Sequence, residues 1–121
     1  LVGSEMCIRD RVKYMIALSL SHGARLLILD EPTSGLDPVS RDELLCLFER
    51  LAHNEKISIL FSTHITSDLD RCADDITYIS RGKVVASAEK YEFLKTFQSG
   101  SEDVPALEEI MLRTERAGHN E

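Results

Sequence analysis

The stretch "RLLILDEPTSGLDP", residues 25–38, passes from four consecutive apolar residues to two adjacent carboxylates and then into turn residues. A short continuous apolar run is typical of a central strand in a parallel sheet, where both faces are covered. We therefore predict that residues 26–29 form such a strand and that it ends on Asp30 and Glu31. Two like charges side by side cost free energy unless a cation or a reacting water lies between them. The stretch thus indicates a fold class and a site together.

The rest of the chain alternates helical and strand patterns, which predicts an α/β fold with a mostly parallel sheet, flanking helices and a C-terminal β-hairpin. A second buried strand is predicted at "ISILFST", residues 57–63, and a tight turn at Arg81-Gly82 would close the hairpin. The predicted helices cover residues 12–22, a segment from Pro38 to about "AHNE", residues 66–73, residues 89–97 and residues 106–117.

The first two helices have recognisable ends and core faces. Gly23 is a natural C-cap for the first helix, and Asp37 followed by Pro38 reads as an N-cap and first position for the second. One face of the first helix is predicted to carry Val12, Met15, Ile16, Ser19 and Leu20, and the second helix carries Leu44, Leu45, Phe48 and Leu51 at core spacing. The last helix, introduced by Pro105, carries Leu107, Ile110, Met111 and less regularly Ala117 on one side, and it would dock on this domain or on a partner.

The composition of the chain argues against several classes of function. The chain has 121 residues and a formal charge of −7, which argues against sequence-independent nucleic-acid binding because such binding requires neutralised phosphates. No apolar run approaches the roughly 18–20 residues that cross a bilayer. Cys7, Cys46 and Cys72 are odd in number and unpatterned, as expected of free thiols in a reducing cytosol rather than of a zinc site.

Polar residues follow both predicted parallel strands, Asp30-Glu31 after the first and Ser62-Thr63-His64 after the second. In open α/β sheets, residues at the carboxyl ends of strands line the ligand crevice. An aspartate there is suited to hold Mg²⁺ through its water shell, and Glu31 is placed to accept a proton from a water. The alternatives are an acidic pair that only caps the strand in solvent, and a nucleophile at Ser62 or Thr63, although no GxSxG elbow surrounds them.

With these residues in view, the sequence resembles the ATP-binding cassette (ABC) ATPases, the motor subunits of ABC transporters. "LLILDEP" (26–32) is similar to their Walker B strand, "SGLD" (34–37) to their D-loop, and His64 to their switch histidine. The three occur in the family order with family-like spacing, between about Val12 and about Phe97.

The resemblance implies a role for each matching residue. It implies that Asp30 coordinates Mg²⁺ through water, that Glu31 polarises the attacking water, and that His64 contacts the γ-phosphate of ATP. Asp37 would contribute to nucleotide binding from the loop that faces a second ABC ATPase subunit. The implied cofactors are ATP and Mg²⁺, and the other implied partner is a transmembrane permease subunit at the cytoplasmic face of the cell membrane.

Two family motifs are missing from the sequence. It contains no GxxxxGK[ST] phosphate loop, and "MCIRD" (6–10) stands where the signature LSGGQ belongs. "SEMCIRDR" (4–11) resembles translated sequencing-adaptor DNA. We therefore expect residues 1–11 to be non-native, residues 12–98 to be a partial ABC ATPase domain, and residues 99–121 to be a hinge and terminal helix.

Three functions follow from this interpretation. The parent protein would hydrolyse ATP to power a transporter, the chain by itself would be an inactive fragment or a degenerate cassette, or the protein would be a soluble relative from translation or DNA repair. "DEPTSGLD" favours the transporter over the soluble relatives, because translation-type members usually read "DEPTNHLD".

Overall fold

The computed structural model describes residues 2–100 and 104–119 and divides the chain into two compact units. The first unit covers residues 1–65 and the second covers residues 66–121. In chain order, the elements are α1 (Val2–Ser21), β1 (Leu26–Asp30), α2 (Pro38–His53), β2 (Ser58–Ser62), α3 (Thr66–Cys72), β3 (Asp75–Ser80), β4 (Lys83–Glu89), α4 (Lys90–Thr96) and α5 (Leu107–His119). The alternation of helices and strands confirms the predicted α/β class.

The first unit is built on a parallel pair of strands. β1 and β2 run side by side in a register that places Leu26 opposite Ser58 and Asp30 opposite Ser62. The ring of Phe48 on α2 lies 5.7 Å from that of Phe61 on β2, so α2 packs on one face of the pair. The buried apolar side chains of the unit are Ile16, Leu27, Leu36, Leu44, Leu45, Phe48 and Leu51, which confirms the predicted core face of α2.

The other face of the parallel pair is exposed. Leu26, Ile28 and Leu60 are 53%, 71% and 61% accessible to solvent. The prediction that both strands are buried on both faces is therefore wrong for this chain. Side chains alternate between the two sides of a strand, and in the described residues helical packing covers only the side that carries Leu27.

Helix α1 starts at Val2, well before the predicted first residue, and ends as predicted before Gly23. The N–H of Gly23, whose φ is +77°, bonds to the carbonyl of Leu20, and the N–H of Ala24 bonds to that of Ser19. This is the Schellman pattern, in which glycine adopts the left-handed conformation without strain. On the predicted face of α1, Ile16 is buried but Met15 is 54% exposed. Successive helix residues are about 100° apart, and only a narrow stripe of α1 is covered.

The second unit is a hairpin with the helices α3, α4 and α5 packed around it. β3 and β4 pair antiparallel, and Arg81 and Gly82 both have positive φ, as a two-residue turn of type I′ requires. Ile76, Phe93, Leu107 and Ile110 form one buried cluster. Helix α5 therefore docks within this unit, which settles the alternative that the sequence left open. Met111 is half-buried and Ala117 is exposed.

Further predictions fall partly outside the described residues. The proposed hinge at Ser99–Ser101 extends beyond residue 100, so its last residue is not described. Among the described helices, none has the length and apolar character needed to span a bilayer. Cys7, Cys46 and Cys72 form no disulfide bond within the described residues.

Candidate functional site

The carboxyl ends of β1 and β2 lie side by side, because the strands are parallel and in register. This brings together the two polar clusters that the sequence places after these strands. Glu31 Oε1 lies 2.9 Å from His64 Nδ1, and Asp30 lies directly opposite Ser62. The prediction that the two strand ends converge is confirmed by these contacts.

Asp30 ends β1 on the exposed face of the sheet. The hydroxyl of Ser62 donates a hydrogen bond of 2.5 Å to Asp30 Oδ1. A hydrogen bond of this length is typical of an O–H group that donates to an ionised carboxylate. Ser62 thus bonds to one of the two carboxylate oxygens, Oδ1.

Glu31 leaves the strand in a left-handed conformation with φ of +45°. Residues other than glycine rarely adopt this region, and such strain concentrates at functional sites. The turn is held by its own N–H, which donates to the backbone carbonyl of Ser62 at 2.9 Å. The turn places the Glu31 carboxylate against His64.

The second oxygen of Glu31 has no partner. Oε2 is buried and accepts no hydrogen bond from any group in residues 2–100 and 104–119. Leaving a buried acceptor unsatisfied costs about 1–3 kcal/mol, more for a charged group. An oxygen in this state fits a group that binds a water or another donor supplied from elsewhere.

His64 is the exposed member of the site, with 72% of its side chain accessible to solvent. An ionised carboxylate only accepts hydrogen bonds, so Nδ1 carries the proton that it shares with Glu31 and Nε2 is left to meet a ligand. The backbone after it is fixed by Thr63, whose Oγ1 accepts from the N–H of Ile65 at 3.0 Å. The strand end and this turn together present the imidazole edge to solvent.

The loop between Glu31 and α2 consists of two successive turns. The N–H of Ser34 bonds to the carbonyl of Glu31 and that of Leu36 to the carbonyl of Thr33. Gly35, with φ of +77°, occupies the third position of the second turn, where a positive φ favours glycine. Thr33 is completely buried beneath the loop, which anchors its middle.

Asp37 caps α2. Its Oδ2 accepts hydrogen bonds of 3.1 Å from the backbone N–H groups of Val39 and Ser40. Bonds from the Ser40 hydroxyl and backbone, together with that of Val39, lower the pKa of Asp37 below its ordinary value of 3.8. The predicted cap is confirmed, and the carboxylate is directed to its own helix rather than to Asp30, Glu31 or His64. Its predicted nucleotide role stays a prediction.

The donor set fits a magnesium–nucleotide complex that brings most of its own ligands. Mg²⁺ keeps several waters and takes one or two carboxylates from a protein, as Asp30 could supply through Oδ2. In the described residues, no group of three or more His, Cys, Asp or Glu side chains is arranged to hold a metal ion by itself. The arrangement places the Asp30 carboxylate, bonded to Ser62, next to the Glu31–His64 pair.

Sequence reasoning missed the part that Ser62 plays. Ser62 was considered only as a polar strand end or as a nucleophile. The signal was present in the pattern: Ser58, Leu60 and Ser62 alternate onto one face, and equal strand lengths place Ser62 across from Asp30. Using it required the register, which one sequence does not give.

A family model described as an AAA domain matches residues 11–69; its description also names an AbiEii toxin and a type IV toxin–antitoxin system. The chain is 43% identical over 74 residues to the lantibiotic transport ATP-binding protein SrtF of Streptococcus pyogenes, an alignment that covers 61% of this chain and 32% of the relative. It is 37% identical over 101 residues to the energy-coupling factor transporter ATP-binding protein EcfA2 of Streptococcus thermophilus, covering 78% of this chain and 35% of that protein.

Another relative is the bacitracin transport ATP-binding protein BcrA of Bacillus licheniformis, 43% identical over 70 residues, with 58% of this chain and 23% of the relative covered. A solved structure, described as an inward-facing conformation of a metal-chelate type ABC transporter, superposes with a TM-score of 0.65 at 26% identity and covers 69% of this chain and 33% of that one. The chain spans about a third or less of the length of these proteins.

Proposed function

Because this chain is a homologue of the ATP-binding subunits of ABC transporters, we propose that it carries the water-activating half of an ATP hydrolysis site whose turnover powers transport. The observation that carries the proposal is the Glu31–His64 pair, 2.9 Å apart at the joined ends of β1 and β2. The phosphate loop and signature, the second ATPase subunit and the transmembrane permease belong to the proposed whole assembly, at the cytoplasmic face of the membrane.

Asp30 and Glu31 divide the work between the metal and the water. Bound Mg²⁺ would neutralise charge on the β- and γ-phosphates, and Asp30 Oδ2 would accept a hydrogen bond from its water shell. Glu31 Oε2, which is buried and accepts no hydrogen bond within the described residues, would accept one from the attacking water and orient it. The cation would also lower the repulsion between the two neighbouring carboxylates.

His64 links this base to the phosphate. Its Nδ1 proton is shared with Glu31 Oε1, which fixes the ring and keeps Glu31 from turning away. Its exposed edge would donate to a γ-phosphate oxygen when Nε2 is protonated. We propose that the imidazole registers whether the γ-phosphate is present and passes that information to the base through one hydrogen bond.

Asp37 would act through the loop that it terminates. Capping fixes the start of α2 and with it the path of residues 34–37, so the loop would face a second ATPase subunit as a preformed surface. We propose that its contribution to nucleotide binding is indirect, through the partner across that loop.

We propose that residues 1–11 are not native to the protein and do not form the family's signature site. Residues 6–10 lie inside α1, where backbone N–H groups are used in the helix, whereas anion binding needs the free N–H groups of a helix start. The family match begins only at residue 11. Recovery of the coding sequence upstream of Val12 tests this: GxxxxGK[ST] and LSGG there would support a working parent ATPase, and their absence would favour a degenerate cassette.

The proposal is tested with two proteins, the 121-residue chain and the product of the complete gene. We expect ATP hydrolysis only from the complete product, because the chain contains no GxxxxGK[ST]. In the complete product, Glu31→Gln should lower steady-state hydrolysis by about 10²–10⁴-fold while a fluorescent ATP analogue still binds.

The matched control is Glu115→Gln, a carboxylate of the second unit that should leave turnover unchanged. Normal turnover in Glu31→Gln would remove the role given to Glu31. Lack of hydrolysis by the wild-type complete product would remove the proposed function itself.

A second candidate is an ATPase that works without a membrane partner, supported by the toxin–antitoxin system named in the AAA-domain description. The same pair of residues would serve its hydrolysis. The neighbouring genes separate the two: a subunit with many transmembrane helices favours the transporter, and a small antitoxin gene favours the second candidate.

A further inference from the structure

We propose that Ser62 is a positioning residue for both carboxylates of the site, an inference that rests on the proposed ATP hydrolysis. Its hydroxyl donates to Asp30 Oδ1 at 2.5 Å and accepts from the backbone N–H of Glu31 at 3.3 Å. One side chain thereby contacts two consecutive residues that perform different tasks.

The hydroxyl has a single proton, and this determines the direction of both bonds. A serine O–H can donate once and accept through two lone pairs, whereas an ionised carboxylate can only accept. The proton must therefore point at Asp30 Oδ1, and a lone pair is left for the Glu31 N–H. With Oδ1 occupied, Oδ2 is the oxygen left to face the water shell of a metal, so Ser62 selects which oxygen does so.

The second bond supports the strained turn at Glu31. That residue has φ of +45°, and its N–H is shared between the carbonyl of Ser62 at 2.9 Å and the hydroxyl of the same residue. Two acceptors for one donor favour the single backbone conformation that aims Glu31 at His64. Alanine at position 62 would keep the carbonyl contact and lose the hydroxyl contact.

Removing a side chain that orients a metal-facing carboxylate is costly, even though that side chain touches neither metal nor substrate. Loss of a group that orients a metal-facing ligand commonly lowers metal affinity or activity by about 10–100-fold. Ser58 provides a matched control, since it lies on the same strand and the same face as Ser62 but pairs with Leu26 at the other end.

The experiment compares Ser62→Ala, Ser62→Thr and Ser58→Ala in two settings. In the complete gene product, Ser62→Ala should raise the Mg²⁺ concentration for half-maximal ATP hydrolysis about tenfold and leave nucleotide affinity in EDTA unchanged. Ser62→Thr keeps the hydroxyl and suits a strand, so it should restore most of the wild-type Mg²⁺ dependence. Ser58→Ala should match the wild type.

The second setting is the 121-residue chain by NMR, without nucleotide. Three-bond couplings should show one χ1 rotamer for Asp30 in the wild type and in Ser62→Thr, and averaged rotamers in Ser62→Ala. The Glu31 amide should exchange faster with solvent in Ser62→Ala alone.

Unchanged couplings and unchanged Mg²⁺ dependence in Ser62→Ala would overturn the inference, as would a Ser62→Thr variant that behaves like alanine. If the complete product hydrolyses no ATP at all, the proposed function fails, and the couplings still decide whether Ser62 positions the two carboxylates. The dispersion of the amide spectrum shows whether each variant is folded. If Ser62→Thr folds and Ser62→Ala does not, Ser62 has a structural role and its positioning role is overturned.

Discussion

Each strand pair of this chain has one covered face, and the two pairs differ in what lies near their exposed residues. The β3–β4 hairpin contributes Ile76 to a buried cluster with α4 and α5, in which Phe93 and Ile110 are each 2% exposed, although Ile79 and Val84 on its strands are 63% and 62% exposed. The β1–β2 pair leaves an apolar face open, although its strands carry the more continuous hydrophobic runs. Every residue assigned to the proposed reaction lies on the open pair or its loops.

The connection between the strands explains part of this difference. Antiparallel neighbours join through a two-residue turn, whereas parallel neighbours need a long crossover and are normally covered on both faces. The hairpin and its helices follow one another directly in sequence, so they can close a core alone. The face of the parallel pair that carries Leu26, Ile28 and Leu60 is exposed within the described residues, and the ends of the same pair carry the residues proposed to contact ligands.

The largest expected effect comes from truncating a side chain in the buried cluster of the second unit. Phe93→Ala should destabilise this unit by about 3–5 kcal/mol, because it removes a large side chain that is 2% exposed and leaves a cavity. Native-state hydrogen exchange at the amides of Ile76 and Tyr78 measures this loss.

Leu112→Ala is the control for this experiment, since Leu112 is an apolar residue of α5 that is 51% exposed. It should change the same exchange rates by less than about 0.5 kcal/mol. Equal losses from both variants would mean that the cluster is not closed in solution.

The next prediction compares neighbouring residues of β1. Leu27→Ala should cost about 2–5 kcal/mol, as expected for a buried leucine, and Ile28→Ala should cost less than about 0.5 kcal/mol, because Ile28 is 71% exposed. Urea unfolding of the 121-residue chain, followed by circular dichroism, provides both values. A large cost for Ile28→Ala would show that its face is covered in solution, and sedimentation velocity would then reveal whether a second copy of the chain covers it.

That comparison also shows how far the sequence could predict the fold. The run "LLIL" identifies a strand, and the residues after "ILFS" identify the other half of the site, because composition and turn chemistry are local. Whether Leu26 and Ile28 are covered is not local: an unbroken apolar run carries no alternation, so it cannot show that only one face is packed. The exposed face was mispredicted for this reason.

The candidate site likewise has features that are local in the sequence and features that depend on the fold. Asp30, Glu31 and His64 are recognisable from their residue types and order, and their convergence follows from the rule for parallel strand ends. The Ser62–Asp30 bond and the unpartnered Glu31 Oε2 depend on register and on side-chain conformation to within an ångström. Those features required coordinates.

A smaller effect is expected at Asp37, the cap that borders the site. Bonds from Ser40 lower its pKa in the folded state, so its stabilising contribution is complete above the unfolded value and is lost as pH falls through the lower folded value. Asp37→Asn retains an acceptor for the cap and removes the titration. Melting curves between pH 5 and about pH 3 should therefore fall more steeply for wild type, by a few degrees. Parallel curves would show that the carboxylate charge contributes nothing to the cap.

The smallest predicted effect concerns Tyr78 and Glu115, two polar residues of the second unit that have no proposed part in the reaction. Burial raises the pKa of Tyr78, and the charge of Glu115, whose Oε1 lies 3.4 Å from the phenol oxygen, raises it further. Because the folded form holds the proton more tightly, this unit loses stability as pH rises above the ordinary value of 10.0. Glu115→Gln removes the charge but not the burial, so the Tyr78 pKa should fall yet stay above 10.0, as ¹³C NMR of the phenol carbon would show. Glu108→Gln, on the same helix, should leave it unchanged. If the Glu115 variant also slowed ATP hydrolysis in the complete product, the second unit would take part in the chemistry, and the division between a closed unit and a reactive one would not hold.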